Sequence, residues 1–351
     1  MKKILCCFGT RPEFIKMFPV INELKKSFCV KSVNTRQHQE LLDGLMNHYK
    51  FTPDCTLDVM EKGQSLNELS SKILFNIDQV LKNDKYDLVV VQGDTTTAFC
   101  SSLAAFNNKI KVAHVEAGLR SNDKENPYPE EIYRRMITQI SDINLCPNVS
   151  DIKNIKDSLS KYNYVVGNTV VDMLKYTIGL GDTNILNDLD ITNNEYVLFT
   201  CHRRENHEKI EDICDCIELL SYKYKIVIPV HMNPNVRNII IKRFSNNINI
   251  KLCESFDYPD MVTIMKNCKF IVSDSGGIQE EAPSFKKFVY VLRDFTERME
   301  SIELGYSKLV GNDKTRIMSA INDHKDIEIM SNPYGDGDTS IKIRKILEDI
   351  L

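Results

Sequence analysis

The sequence predicts an α/β protein of two doubly wound domains, each built on a parallel sheet. Short β-branched or apolar runs alternate with longer helical patterns, which is the sequence form of successive βαβ units. Runs such as Asp87-Leu88-Val89-Val90-Val91 are apolar without alternation, as strands covered on both faces must be. The chain has 351 residues, which at roughly 100–200 residues per domain points to two cores rather than one.

The first half opens with a strand from Lys3 to Phe8, a helix from Pro12 to Lys26, a strand from Val30 to Asn34 and a helix from His38 to Tyr49. A helix from Ser65 to Lys82, the strand Asp87 to Val91, a helix from Thr96 to Phe106 and a strand from Lys111 to Val115 follow. Pro129 to Ile143 reads as a helix, with proline at its start and two carboxylates in the first turn, where the macrodipole favours them. Tyr164 to Thr169 leads into a short helical stretch, and a polar segment runs from Gly181 to Asn194. The alternation then restarts, with strands at Tyr196 to Thr200, Lys225 to Val230, Ile248 to Leu252, Phe270 to Ser273 and Phe288 to Leu292. Helices between them cover Ile210 to Tyr222, Val236 to Phe244, Pro259 to Lys266 and Gly277 to Phe285. The expected domains are 1–168 and 169–339, with a last helix over 340–351 available to complete the first.

Apolar residues make up 42% of the chain and charged residues 27%, the balance of a fully folded globular protein. A formal net charge of -4 argues against non-specific nucleic-acid binding and favours small-molecule partners. The apolar run at the start is too short for a signal peptide, and no uncharged run approaches the roughly 18–20 residues of a bilayer span. A cytosolic protein is expected, with no membrane partner. Of the eleven cysteines, Cys6, Cys100, Cys146 and Cys268 sit inside apolar segments, where thiols behave as small hydrophobes. Cys214-Asp215-Cys216 has no second Cys/His pair at zinc spacing, so no metal is expected.

Ligands of open α/β sheets bind beyond the carboxyl ends of strands, and here those loops are rich in functional groups. Gly9-Thr10-Arg11-Pro12-Glu13, Gln92-Gly93-Asp94-Thr95-Thr96-Thr97 and His114-Val115-Glu116-Ala117-Gly118-Leu119-Arg120 occupy them in the first half. Cys201-His202-Arg203-Arg204-Glu205-Asn206, His231-Met232-Asn233-Pro234 and Asp274-Ser275-Gly276-Gly277 do so in the second. Two glycines at a strand-to-helix junction let backbone N–H groups approach an anion, although an isolated Ser-Gly-Gly also serves as a plain turn. Arg11, Lys16, His202, Arg203 and Arg204 favour a diphosphate there, and a ribose gives Glu280 or Glu281 hydroxyl donors to bind. No Gly-x-Gly-x-x-Gly and no Walker sequence follows any strand, so neither NAD nor ATP is expected.

Asp94, Glu116, Glu130 and Glu131 lie in loops or at a helix start, and carboxylates gathered in a cleft divide into acid and base. Each has a structural alternative except one. Asp94 suits an N-cap, and Glu130 and Glu131 suit a first helical turn. Glu116 lies between Val115 and Ala117 at a buried strand's end, where a carboxylate needs a partner. His38 and His48 read as ordinary surface or helix-packing residues.

Taken in order, Gly9-Thr10-Arg11-Pro12-Glu13-Phe14-Ile15-Lys16, Gly93-Asp94-Thr95-Thr96, His114 to Arg120, Pro129-Glu130-Glu131, His202-Arg203-Arg204-Glu205-Asn206, Asp274 to Pro283 and Thr296-Glu297-Arg298 resemble the non-hydrolysing UDP-N-acetylglucosamine 2-epimerases over essentially the whole chain. The resemblance implies a GT-B-like fold of two Rossmann-like domains around a cleft, a homodimer, no cofactor, and reversible conversion of UDP-GlcNAc to UDP-ManNAc. Asp94, Glu116 and Glu130 match the family's catalytic carboxylates, with His202 grouped beside them. Arg11, Lys16 and Arg134 match positions around the diphosphate or reacting sugar, Ser275, Gly276, Gly277 and Glu281 match the UDP loop, and His231 and Arg298 join the substrate-binding set. The family often has other residues at Arg36, Tyr133 and Met299, which leaves a 6-deoxy UDP-hexosamine such as UDP-N-acetyl-L-rhamnosamine, or a GT-B glycosyltransferase activity, as alternatives. The C2–H of an N-acetylhexosamine is not beside a carbonyl, so epimerisation needs either transient oxidation at C3 or departure of the C1 group. With no nicotinamide fingerprint, the expected route is elimination of UDP to a 2-acetamidoglucal and re-addition.

Overall fold

The computed structural model describes residues 1–201, 206, 209–230, 233–324 and 328–351, with the side chains of 40, 41 and 235 outside the description. Two compact units are formed: Met1–Tyr176 together with Tyr334–Leu351, and Thr177–Pro333.

In the first unit the strands are β1 (Lys3–Phe8), β2 (Cys29–Asn34), β3 (Cys55–Thr56), β4 (Leu88–Gln92), β5 (Lys111–Val115), β6 (Ile143–Cys146) and β7 (Tyr162–Val165). They form one parallel sheet in the order β3-β2-β1-β4-β5-β6-β7. Order reverses between β1 and β4, and β5 lies next to β4, so the loops after these three strands meet at one end of the sheet. Leu88 to Val91 are all fully buried, as the unbroken apolar run required. Leu5, Cys7, Val89 and Val91 pack one sheet face against Ile73 and Ile77 of the helix Leu66–Asn83.

The second unit holds β8 (Tyr196–Thr200), β9 (Lys225–Pro229), β10 (Ile250–Cys253), β11 (Ile271–Ser273), β12 (Val289–Val291) and β13 (Ser307–Leu309). Among the described residues these form a second parallel sheet, in the order β10-β9-β8-β11-β12-β13. Val197, Phe199, Ile226, Ile228 and Val272 pack it into its own core.

Four strands depart from the sequence expectation. The helix expected through Ile143 ends at Ile140, and Ile143–Cys146 is a sheet strand with Asn144 fully buried in it. Tyr162–Val165, Cys55–Thr56 and Ser307–Leu309 are short strands of two to four residues, too brief for a period to register. The last helix, Thr339–Ile350, belongs to the first unit. Buried Asp172 accepts the N–H groups of Thr339 at 3.2 Å and Ser340 at 2.7 Å, and Arg344 Nε reaches Glu23 Oε1 at 2.9 Å on the first helix. Cys6, Cys100, Cys146 and Cys268 are all buried. No described helix is long and apolar enough to cross a membrane.

Candidate active site

In the first unit β1 runs into Gly9, where a Cβ would lie 2.0 Å from Thr35 Oγ1 and 2.5 Å from Thr97 Oγ1. Only glycine fits. Thr10 then caps the helix Arg11–Leu24 in a capping box with Glu13. That helix carries Arg11 and Lys16. Lys16 Nζ donates to Glu116 Oε2 at 2.5 Å, and Gln92 Nε2 donates to the same oxygen at 2.8 Å. The partner that Glu116 needs is therefore a cation from the β1 loop's helix and an amide from the end of β4. Glu116 itself has φ +65°, a left-handed conformation that costs a non-glycine residue about 1–3 kcal/mol and is found where a side chain must be aimed.

Asp94 is not a helix cap. Thr95 takes that place, its Oγ1 accepting Ala98 N–H at 3.0 Å, because Thr95 is the residue with extended backbone before the helix Thr96–Asn107. Asp94 is thereby left for Arg134, whose Nε and Nη2 both donate to Asp94 Oδ2, at 2.9 and 2.5 Å. Gly93, with φ +69°, has its carbonyl 2.7 Å from His114 Nε2. Burial pushes His114 down to about 4, so the ring is neutral and Nε2 carries the proton in that bond.

Arg134 and Glu131 share the helix Glu130–Ile140, and Glu130 stands at its first turn, half-buried. Burial works against the ionised form of Glu131. The N–H of Ser121, at 2.9 Å, with Arg135 and Arg134 nonetheless hold it below the usual carboxylate range. Glu131 is thus a structural clamp for the loop before this helix.

In the second unit β11 ends at Ser273, and Asp274 is fully buried, accepting Asn206 Nδ2 at 2.9 Å. Asn206 also donates to Leu292 O at 3.1 Å. Ser275 takes the N-cap of the short helix Gly276–Glu281 without a side-chain capping bond. A Cβ at Gly276 would meet the Arg298 guanidinium at 2.8 Å, whereas one at Gly277 would meet nothing closer than Ser275 Oγ at 3.9 Å. Arg298 Nε and Nη2 bind Glu280 Oε1 at 3.0 and 2.9 Å, and Nη1 lies 3.2 Å from Glu297 Oε2. Burial raises Glu297, but Arg298 and Arg293 outweigh it and bring the carboxyl down to about 2. Glu281 is buried and accepts the Tyr258 hydroxyl at 2.6 Å.

Of the residues expected at the site, His202, Arg203, Arg204 and His231 lie outside the described residues. Among the described residues no group of three His, Cys, Asp or Glu side chains could hold a metal ion. Several contributors were not singled out from sequence: Glu13, Gln92, Thr95, His114 and Asn206. Thr10-x-x-Glu13 carried a capping-box signal, but nothing in the spacing indicates the long-range contacts of the others. His38 is more than a packing residue, since its N–H donates to Gly9 O at 2.7 Å and its Nδ1 accepts Arg11 N–H at 3.4 Å. The unusual residues at 36 and 133 are engaged within the protein. Arg36 binds Asp43 and Asp58, each at 2.8 Å, and the Tyr133 ring stacks on Phe99 with centroids 4.9 Å apart.

Comparison with known proteins identifies the family. Residues 22–348 match the family described as UDP-N-acetylglucosamine 2-epimerase. The UDP-N-acetylglucosamine 2-epimerase of Bacillus subtilis is 39% identical over 99% of this chain and 95% of its own length. The crystal structure of UDP-GlcNAc 2-epimerase from Neisseria meningitidis bound to UDP-GlcNAc superposes with a TM-score of 0.92 at 40% identity, covering 99% of this chain and 100% of that one. A UDP-glucose: anthocyanidin 3-O-glucosyltransferase, 10% identical with a TM-score of 0.60, shares the fold alone, so the GT-B-like class holds. The family match over residues 22–348 and the full-length similarity to these relatives place this chain in the UDP-N-acetylglucosamine 2-epimerase family.

Proposed function

We propose that this protein interconverts UDP-GlcNAc and UDP-ManNAc by eliminating UDP and adding it back. The observation that carries the reading is the pair of charge-matched carboxylates at adjacent strand ends, Glu116 with Lys16 and Gln92, and Asp94 with Arg134. A carboxylate base takes the C2 proton, the C2–H electron pair becomes the C1=C2 double bond, and the C1–O pair leaves with UDP. Return of a proton to the opposite face of C2, with attack of the UDP oxygen at C1, gives the epimer. Asp94, Glu116 and Glu130 are the proton carriers in this scheme, with His202 beside them. Arg11 and Lys16, with backbone N–H groups at Ser275, Gly276 and Gly277, offset the charge on departing UDP. His231, Glu281 and Arg298 complete the substrate-binding set, and the UDP-GlcNAc bound in the Neisseria relative supports this substrate.

Incubation with UDP-GlcNAc in deuterated water is expected to place deuterium at C2 and to yield UDP-ManNAc, both read by NMR. Absence of exchange and of a new sugar sinks the reading, and release of free sugar in place of UDP-ManNAc contradicts re-addition.

We infer that the protein acts as a homodimer. Phe99, Leu103 and Phe106 form one stripe of the helix Thr96–Asn107, and Phe106 is 55% exposed. The neighbouring helix Glu130–Ile140 adds exposed Ile132 and Met136. A second copy of this chain would cover that face. Light scattering is expected to give twice the chain mass for the native protein and the single-chain mass for Phe106→Glu; a monomeric native protein removes the inference.

A further inference from the structure

Glu13 is 1% exposed, and its carboxylate collects four donors. Oε2 accepts Gly9 N–H at 3.0 Å, Thr10 N–H at 2.8 Å and the Thr10 hydroxyl at 2.8 Å. Oε1 accepts the Thr95 hydroxyl at 2.6 Å, a contact spanning 82 residues. A capping box accounts for the Oε2 side, since a glutamate at the third helical position normally reaches back to its cap. It does not account for Oε1. Thr95 is the cap of a second helix, its hydroxyl oxygen accepting Ala98 N–H at 3.0 Å while its proton goes to Glu13. One carboxylate therefore locks the N-termini of two helices to each other. The first helix carries Arg11 and Lys16, and the residue before the second cap is Asp94.

We propose that Glu13 is a positioning residue for the reaction, holding the loop of Asp94 in register with the helix of Lys16 through the Thr95 hydroxyl. The proposal rests on the epimerase reading above. Exact placement of reacting groups matters because a misplacement of about 1 Å can cost around a hundredfold in rate.

The carboxylate is a costly choice for a purely structural link. Burial pushes Glu13 up to about 7, against the pull of its four hydrogen bonds. The titratable groups near it come from several elements. From β1 it meets Cys7, whose thiol burial pushes up to about 12 and keeps neutral. Arg11 and Lys16 lie on its own helix, Asp94 adjoins Thr95, and His38, lowered by burial and by Arg11, lies on the loop after β2. When Glu13 takes a proton, all four donors can no longer be satisfied. The three donors at Oε2 leave Oε1 as the site for it; Oε1–H then donates to the Thr95 oxygen, the bond reverses and the Thr95 hydroxyl proton loses its acceptor.

The stability sign follows from the raised value. Glu13 favours folding most below its unfolded value of 4.5, and that contribution is lost as pH rises through about 7. Its ionised form is thus maintained against stability at the pH where Thr95 is bound.

The test uses the full chain with Glu13→Gln, Thr95→Val and Thr95→Ser. Glutamine keeps the capping box but turns an N–H toward Thr95, valine deletes the hydroxyl, and serine restores it. Glu13→Gln and Thr95→Val are expected to lower kcat by about tenfold to a hundredfold with KM within about twofold, and Thr95→Ser to recover most of the loss. The acid limb of kcat centred near pH 7 should vanish in Glu13→Gln, while the melting temperature of Glu13→Gln relative to native protein rises between pH 4.5 and pH 7. Native kcat in both Glu13→Gln and Thr95→Val overturns the proposal, as does a Thr95→Ser loss equal to that of Thr95→Val or an acid limb that persists in Glu13→Gln. Native protein that fails to exchange C2 with solvent overturns the epimerase reading instead, before any variant is compared.

Discussion

Glu116→Gln is expected to lower turnover by about a hundredfold or more while UDP binding persists, the usual loss when a positioned proton carrier is removed. Glutamine matches the length of the side chain and can still accept from Gln92 and Lys16, so the change is in charge and proton affinity rather than shape. The local backbone is already committed, since φ +65° at this position is fixed by the chain on either side and by the N–H bond to Leu145 O at 3.0 Å. Glutamine keeps an acceptor for Lys16 and leaves the other groups assigned to UDP unchanged, so affinity for the nucleotide should change little. Steady-state kinetics in both directions together with calorimetric titration of UDP checks this. Turnover within tenfold of native, roughly 1.4 kcal/mol of barrier, removes Glu116 from the proton-carrying set.

Asp94→Asn combines a kinetic loss with a structural one. Arg134 directs two N–H groups at a single oxygen of Asp94, and its side chain is only 7% exposed. Asparagine leaves an acceptor but removes the charge, and a buried guanidinium that loses a charged partner typically costs about 1–3 kcal/mol. Glu131 remains 3.4 Å from Nη1, and Asp94 is partly exposed, so the lower part of that range is expected. We expect kcat to fall by about a hundredfold and the melting temperature by a few degrees. Arg134→Met should reproduce the thermal loss. If Asp94→Asn melts like the native protein and turns over normally, the Asp94–Arg134 pair contributes neither to the reaction nor to the fold.

How much of this was legible in the sequence depends on whether the information is local. Strands such as Leu88–Gln92 were, because burial on both faces demands an unbroken apolar run. Ile143–Cys146 was not, because Asn144 interrupts it and the preceding helical period runs straight into its first residue. Asp94 and Glu116 stood out through their position at strand ends. Their partners did not, since Gln92 reaches Glu116 across 24 residues and Lys16 reaches it across 100. The division of labour between Asp94 and Thr95 was also hidden, because both are good caps and only backbone geometry decides between them. Gly276 was read as a phosphate-loop glycine, and its tight contact with Arg298 adds a packing requirement that Gly277 lacks.

The discontinuity of the first unit has a consequence for how the molecule is made. Asp172 waits for Ser340, Asn168 N–H for the carbonyl of Tyr334 at 2.7 Å, and Glu23 for Arg344. During synthesis, Thr177–Pro333 emerges as an unbroken stretch and can close its own core first. The earlier-made residues, Met1–Tyr176, gain their contacts with Tyr334–Leu351 only once that segment has been made. The half that carries Asp94 and Glu116 therefore gains these contacts only after the whole of Thr177–Pro333 has been synthesised.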